Sequence, residues 1–233
     1  MPARPYFGLL VLLATNCLAQ PPAADSTVAA ANSSVVPLKK FPVEALNKRT
    51  EAVRGDRTQP GEPFVIRIHA EAGFIVMPHI HPVDENIVVL KGRWALGMGE
   101  HYRKELLEAM EPGDFGFAGH GMAHFALSKT DSIIQVHGIG PFRVKWVIPL
   151  YELSDKGVLL IETAEDPGRA PTSVPKDCFA LNIGTRVRGS YGEGTLIGAQ
   201  CTPAELTQYR VQKQDGARFW AQKADLDVLK TNK

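Results

Sequence analysis

The sequence predicts an all-β protein built from short strands that form a barrel or a sandwich. From residue 64 onward, short apolar runs rich in Val, Ile and Phe alternate with turns that contain Gly, Pro, His or Asp. The 233-residue chain also contains 21 Gly and 17 Pro, as is typical of a fold with many turns. Its length is sufficient for one or two domains, each with a buried core.

Residues 1–19 have the pattern of a secretory signal peptide. Arg4 supplies the positive charge, an apolar run extends from Tyr6 to Ala14, and small residues precede position 20. The run is shorter than the roughly 20 residues that a transmembrane helix needs. We therefore expect export to the periplasm or secretion after cleavage near Ala19, with no transmembrane span. A buried strand or a membrane anchor are the alternatives for this segment.

Residues 20–62 are expected to be a flexible N-terminal segment. Ala, Ser, Pro and Val dominate as far as Val36, and this composition buries little apolar surface. A short helix near residues 43–53 is the one regular element suggested there.

Residues 63–150 are predicted to form the first barrel. The strand patterns lie at 64–69, 74–77, 86–90, 115–117, 124–127, 133–137 and 142–148. The segment 103–110 is ambiguous, because Lys-Glu-Leu-Leu-Glu-Ala favours a helix locally whereas a barrel would make it a strand.

Residues 151–179 are expected to link the first barrel to a second, small one at 180–230. Three prolines interrupt the linker, at positions 167, 171 and 175, and it contains one apolar run at 158–161. In the C-terminal part, strand patterns alternate with turns, and Asp215-Gly216 is a hairpin signal. The pattern resembles a Src-homology-3-like or Tudor-like barrel, although no diagnostic motif supports the likeness.

Four potential metal ligands lie in the predicted first barrel. Residues two apart on a strand project from one face, so His79 and His81 can direct two imidazoles to one point. Glu85 follows after a turn, and His124 lies beyond the Gly-rich loop 119–121. Three imidazoles and one carboxylate suit one divalent transition metal (Mn, Fe, Ni or Zn) better than they suit Ca or Mg.

The spacing of these ligands is similar to that of the cupin superfamily. The first cupin motif is matched by Gly73-x5-His79-x-His81-x3-Glu85-x6-Gly92. The second is resembled by Gly113-x5-Gly119-x-Gly121-x2-His124-x3-Ser128, with Gly119 in place of the usual Pro and Ser128 in place of Asn. The 20 residues between the motifs match the short spacing of single-domain, microbial-type cupins. The resemblance implies a jelly-roll barrel (double-stranded β-helix) that holds a metal in its mouth.

Strand alternation also predicts which other side chains face the cavity. Met77 shares the parity of His79, so we expect it to line the substrate cavity. Gln135 and His137 share one face of their strand, and this polar face either lines the cavity or contacts solvent.

The resemblance does not select a reaction, because cupins include dioxygenases, oxalate-handling enzymes, isomerases, lyases and sugar-binding regulators. We expect an enzyme that acts on a small organic molecule, with a dioxygenase-type oxidoreductase favoured and Glu85 as a catalytic residue that moves protons. One alternative is a non-catalytic envelope protein that binds a ligand. The other is a partner-docking protein whose C-terminal barrel captures the partner.

The net charge and the cysteine content limit which partners and which cellular compartment can be expected. Cleavage removes one of the 26 basic residues and none of the 25 acidic ones, so the mature chain is formally neutral and no nucleic-acid partner is expected. The cupin resemblance implies a homodimer formed through an outer sheet face. Cys178 and Cys201 remain in the mature chain, either as a disulfide or as two free thiols.

Overall fold

A computed structural model describes residues 50–230 of the chain, and these belong to one compact unit. The expected signal peptide, most of the N-terminal segment and the first part of the helix expected near 43–53 lie outside the described residues. The remaining part of that helix prediction is wrong, because residues from Thr50 onward form a strand that pairs with its neighbour. No helix among residues 50–230 is long and apolar enough to cross a membrane.

The described chain consists of strands and two short 3-10 turns, Lys104–Leu106 and Lys223–Asp225. The first nine strands are β1 (Thr50–Arg54), β2 (Pro63–Ala70), β3 (Ile75–Ile80), β4 (Glu85–Lys91), β5 (Trp94–Met98), β6 (Glu108–Met110), β7 (Phe115–Ala118), β8 (His124–Ser128) and β9 (Ser132–Ile139). The remaining strands are β10 (Lys145–Ser154), β11 (Gly157–Thr163), β12 (Arg186–Gly189), β13 (Gly192–Thr202), β14 (Leu206–Gln212), β15 (Arg218–Gln222) and β16 (Asp227–Val228).

Two antiparallel sheets face each other in the first part of the chain. The first sheet has five strands in the order β1-β2-β9-β4-β7, and the second has eleven, with the path β15-β14-β13-β10-β3-β8-β5-β6. One buried cluster joins them, since Ile66, Ile87 and Val136 from the first sheet pack with Leu96 and Ala126 from the second. The predicted all-β jelly-roll class is therefore confirmed.

The segment 151–179 contains more regular structure than the linker expectation suggested. β10 continues to Ser154, and β11 folds back on it, with Leu150 opposite Ile161. Leu150 and Ile161 are both buried, so the apolar run noted in the sequence forms a packed hairpin. The ambiguous segment 103–110 splits into the 3-10 turn at Lys104–Leu106 and the strand β6.

The C-terminal strands continue the second sheet. Tyr151 of β10 pairs with Cys201 of β13, and β13 in turn pairs with β12 and β14. A separate apolar cluster lies among these strands, with Val187, Leu196, Tyr209, Val211 and Phe219 fully buried. A disulfide joins Cys178 to Cys201, with a Cα–Cα distance of 5.6 Å. The boundary between the two predicted barrels and the type of the second remain predictions.

Candidate metal centre

Three strands and one turn bring the four predicted ligands to one point inside the first barrel. His79 lies near the end of β3, His81 directly follows that strand, Glu85 begins β4 and His124 begins β8. All four side chains are buried, and one ligand atom from each lies within 4.8 Å of the others. A cluster that was dispersed over 46 positions in the sequence is therefore compact in the fold.

A bulge in β3 decides which of its residues face the cluster. Val76 lies opposite Ala126, and His79 lies opposite His124, but the register shifts between these two pairs. Because directly paired residues share a face, both Val76 and His79 point into the barrel although they are three positions apart.

Met77 consequently lies on the opposite face, where it packs with Ile75, Leu150 and Ile161. The expectation that Met77 lines the substrate cavity does not hold, because simple alternation fails across the bulge.

Each histidine of the cluster has its ring orientation fixed by a backbone carbonyl. The Nδ1–H groups donate to the carbonyl oxygens of Met77 (from His79, 2.8 Å), Arg143 (from His81, 2.7 Å) and Met122 (from His124, 3.0 Å). A carbonyl oxygen only accepts, so the proton of each neutral ring lies on Nδ1 and the Nε2 lone pair is free to bind a metal.

The free lone pairs converge on the carboxylate of Glu85. Its Oε2 atom lies 2.9 Å from His124 Nε2 and 3.3 Å from His81 Nε2. Ligand atoms that each lie about 2.1 Å from one ion are separated from each other by roughly 3 Å, so these distances fit a shared ion. These three buried atoms also lack a hydrogen-bond partner of good geometry, which a metal would supply.

The electrostatics of the cluster favour a cation. Burial would raise the pKa of Glu85, but the approach of His124 and His81 outweighs this and holds the pKa well below its usual range. Burial and the neighbouring His124 and His81 lower the pKa of His79 well below its ordinary value. Burial opposes the charged form of His124 as well, yet Glu85 raises its pKa overall. The cluster thus combines an ionised carboxylate with at least one neutral imidazole.

Aromatic side chains flank the ligands. Phe142 stacks on His81 with ring centroids 4.1 Å apart, and Trp146 lies opposite His79 across the β3–β10 ladder, with ring centroids 5.6 Å apart. Phe142 is buried, so it shields the His81 ring from water. Sequence reasoning missed the role of Phe142, because its contact with His81 joins two connecting segments that are far apart in the sequence and no local pattern marks it.

Gln135 and His137 lie on the outer face of the first sheet. Their neighbours Ile134 and Val136 belong to the buried cluster between the sheets, so alternation along β9 points Gln135 and His137 away from the barrel interior. The sequence left open whether this face lines the cavity or contacts solvent. The structure places both side chains outside the cavity.

Comparisons with known proteins add the following likenesses. No protein-family model matches the sequence, and no curated protein matches it. The structure of KdgF from a Halomonas species is 19% identical over 38% of this chain and 74% of its own, with a TM-score of 0.31. The DMSP lyase DddQ from Ruegeria pomeroyi is 20% identical over 39% of this chain and 46% of its own, with a TM-score of 0.33. An RmlC-like cupin protein from Desulfovibrio desulfuricans is 21% identical over 45% of this chain and 98% of its own, with a TM-score of 0.33.

Proposed function

We propose that this protein is a metal-dependent enzyme that acts on a small organic molecule, with a dioxygenase-type oxidation as the favoured reaction. One observation carries the proposal: three buried imidazoles have Nδ1 bound to backbone carbonyls, which leaves each Nε2 lone pair free, and the four residues place one ligand atom each within 4.8 Å of one another. Such a preset group of ligands is what a divalent transition metal requires.

The four ligands and Phe142 have different proposed roles. His79, His81, Glu85 and His124 would hold the metal, which supplies a Lewis acid with open coordination positions when it is bound. Glu85 provides the carboxylate at which a proton from a bound molecule can be accepted. Phe142 excludes water from one side of the cluster, which strengthens the electrostatic interactions within it.

Metal content of the purified protein tests the centre. We expect about one Mn, Fe, Ni or Zn per chain, and loss of that metal in His81→Ala and Glu85→Gln, because each change removes one ligand. His120→Ala is the matched control, since its exposed side chain lies in the loop before His124 but outside the cluster. Less than roughly a tenth of a metal per chain, with no uptake on adding these ions, would contradict the proposal.

The favoured reaction is tested by isotope labelling. A dioxygenase incorporates both oxygen atoms of O2 into its organic product or products, so metal-loaded protein supplied with ¹⁸O2 and a panel of small enolisable carbonyl compounds should place two ¹⁸O atoms per turnover in the products taken together. Glu85→Gln should abolish the labelling while circular dichroism shows that the fold survives. Binding of a panel member without turnover would instead favour the alternative, a non-catalytic ligand-binding or partner-docking protein of the cell envelope.

Export and assembly form the second part of the proposal. The signal-peptide pattern of residues 1–19 and the buried disulfide between Cys178 and Cys201 both support an oxidising compartment.

Phe115 and Phe117 support a homodimer, because both side chains are exposed on the outer face of β7. Light scattering of the mature protein tests the dimer, and a monomer at all concentrations would exclude it.

A further inference from the structure

Ile75 is the first residue of β3. On one edge of the strand, its backbone groups are hydrogen-bonded by a side chain and not by a neighbouring strand. β10 pairs with β3 only at Ile80 and His79, so none of its residues reaches Ile75. There the Gln208 side chain of β14 takes over: its Oε1 accepts from Ile75 N–H at 2.9 Å, and its Nε2 donates to Ile75 C=O at 2.7 Å. A carboxamide offers the same donor and acceptor as a peptide group, so Gln208 serves as a one-residue strand partner.

Burial makes this pair of hydrogen bonds important. The Gln208 side chain is fully buried, and Ile75 is 2% exposed. Water therefore has no access to the Ile75 peptide groups, and loss of the amide would leave a buried donor and acceptor unsatisfied. The Gln208 amide is itself held by a further hydrogen bond, from its Nε2 to Gln200 Oε1 at 3.3 Å.

The two anchors of β3 lie on either side of its bulge. Ile75, bound to Gln208, precedes the register shift, and His79, paired with Trp146 of β10, follows it. Since a slip of one residue moves a side chain to the opposite face of a sheet, these two anchors act together with the β8 pairs on the other edge of β3 to keep the imidazole of His79 inside the barrel.

We infer that Gln208 is a positioning residue for the metal centre, which it influences through Ile75 and the bulge of β3. The inference rests on the proposed metal site and extends it, because it makes the C-terminal strands a part of that site's framework.

Neighbouring contacts fasten the same segment to the same strands. The carboxylate of Glu71 accepts hydrogen bonds from Arg210 and from Trp220 Nε1, and Trp220 N–H donates to Ala72 C=O at 2.8 Å. The chain that leads into β3 is thus bound to β14 and β15 at three successive points, of which Gln208 lies nearest to the ligands.

The test compares Ni²⁺ affinity among full-length variants by calorimetry. Gln208→Met keeps the side-chain length but removes both hydrogen bonds, and we expect it to weaken Ni²⁺ binding by roughly 10- to 100-fold, as loss of a supporting interaction does at other metal sites. Gln208→Glu is the conservative variant: burial keeps its acid neutral, with an O–H donor and a C=O acceptor, so its affinity should stay within about threefold of the wild type.

Val211→Ala is the matched control. Val211 is fully buried on β14, in the C-terminal apolar cluster and away from Ile75. We expect its thermal midpoint to fall while its Ni²⁺ affinity stays within about twofold of the wild type, because distant sites act independently.

The outcomes separate the two proposals. Equal Ni²⁺ affinity of the wild type and Gln208→Met would overturn the positioning role, whereas no Ni²⁺ binding by the wild type would overturn the metal centre itself. If Gln208→Met does not fold, hydrogen exchange on the wild type decides. Because coupling is reciprocal, Ni²⁺ should slow exchange of the Ile75 amide, which donates to Gln208, and an unchanged exchange rate would refute the inference.

Discussion

At the scale of single residues, a hydrogen bond to one backbone carbonyl determines the tautomer of each neutral histidine ring in the cluster. Met77, Arg143 and Met122 contribute only their main-chain oxygens, so no side-chain pattern at those positions could have indicated the role. The ligands themselves could be predicted, because cupin-type spacing relates the short run from His79 to Glu85 to the single, distant His124. Their neighbours were less predictable, since Phe142 contacts His81 and Gln208 contacts Ile75 across long separations in the sequence.

The raised pKa of His124 predicts a pH-dependent metal affinity. A bound metal must displace the proton that His124 holds beside Glu85, whereas His79 holds none because its pKa is lowered. We expect the apparent Ni²⁺ affinity to weaken by up to about tenfold per unit as the pH falls below the pKa of His124. Calorimetry from about pH 8 to about pH 6 measures the effect, and an unchanged affinity over that range would contradict it.

The same titration predicts that Ni²⁺ stabilises the protein more at higher pH. In the metal-free protein, the raised pKa of His124 adds stability that is fully present below about pH 6.5 and is lost as the pH rises through the folded-state value. Added Ni²⁺ should therefore raise the thermal midpoint more at about pH 8 than at about pH 6. Equal increases at both pH values would show that no proton is exchanged for the metal.

The buried Glu71 and Arg210 pair predicts a large effect on stability. In Arg210→Met, the Glu71 carboxylate stays buried with the indole Nε1–H of Trp220 as its remaining neutral donor, and we expect a loss of about 3–5 kcal/mol in the free energy of unfolding. The double variant Glu71→Gln with Arg210→Met should recover most of that loss, because no charge is then left unpaired. Urea unfolding measures both, and equal losses in the two variants would contradict this account.

At the scale of elements, strand pairing explains what the sequence could and could not predict. Alternation correctly placed Ile134 and Val136 on one face of β9, because that strand pairs with β2 without a register shift. It failed for Met77, because a bulge adds a residue that no pattern in the sequence marks. The β10–β11 hairpin lies within the segment that the sequence predicts to be a linker, because the three prolines that indicate irregular structure in that segment lie beyond the end of the hairpin.

The disulfide joins the segment between β11 and β12 to strand β13 and predicts a measurable contribution to stability. Cys178 and Cys201 are both buried and are separated by 23 positions. Replacing both with Ser should lower the free energy of unfolding by about 3 kcal/mol, because the unfolded chain loses a constraint. Denaturant unfolding measures the loss, and reduction of the wild type should reproduce it. Two free thiols in the denatured, unreduced mature protein would show that the bond does not form.

At the scale of the whole molecule, the C-terminal strands are continuous with the sheet that carries His79 and His124. The path from β15 to β6 passes through β10 and β3 without a break, so the part after Lys176 forms one wall of the same structure. The sequence predicted two barrels and could not show this continuity, since pairing between β10 and β13 depends on residues about 50 positions apart.

Truncation after Lys176 tests that continuity. The deletion removes β12 to β16, and with them the partners of Ile75 and Glu71, so we expect an insoluble chain or one with less than about half of the full-length metal content. Metal analysis of the soluble fraction measures the outcome. A soluble fragment with undiminished metal content would favour the partner-docking hypothesis, in which the C-terminal part is dispensable for the metal.

The amide of Gln208 also limits how this protein can be rebuilt. A barrel excised at residue 150 and grafted into another scaffold would carry the four ligands but would leave the Ile75 peptide group without its surrogate partner. An insertion of one residue in β14 before Gln208 would turn that side chain to the other face of the sheet. On the proposed role of Gln208, the four candidate ligands alone do not make a transferable metal site, because the peptide group of Ile75 is supported by a side chain that lies 133 positions away in the sequence.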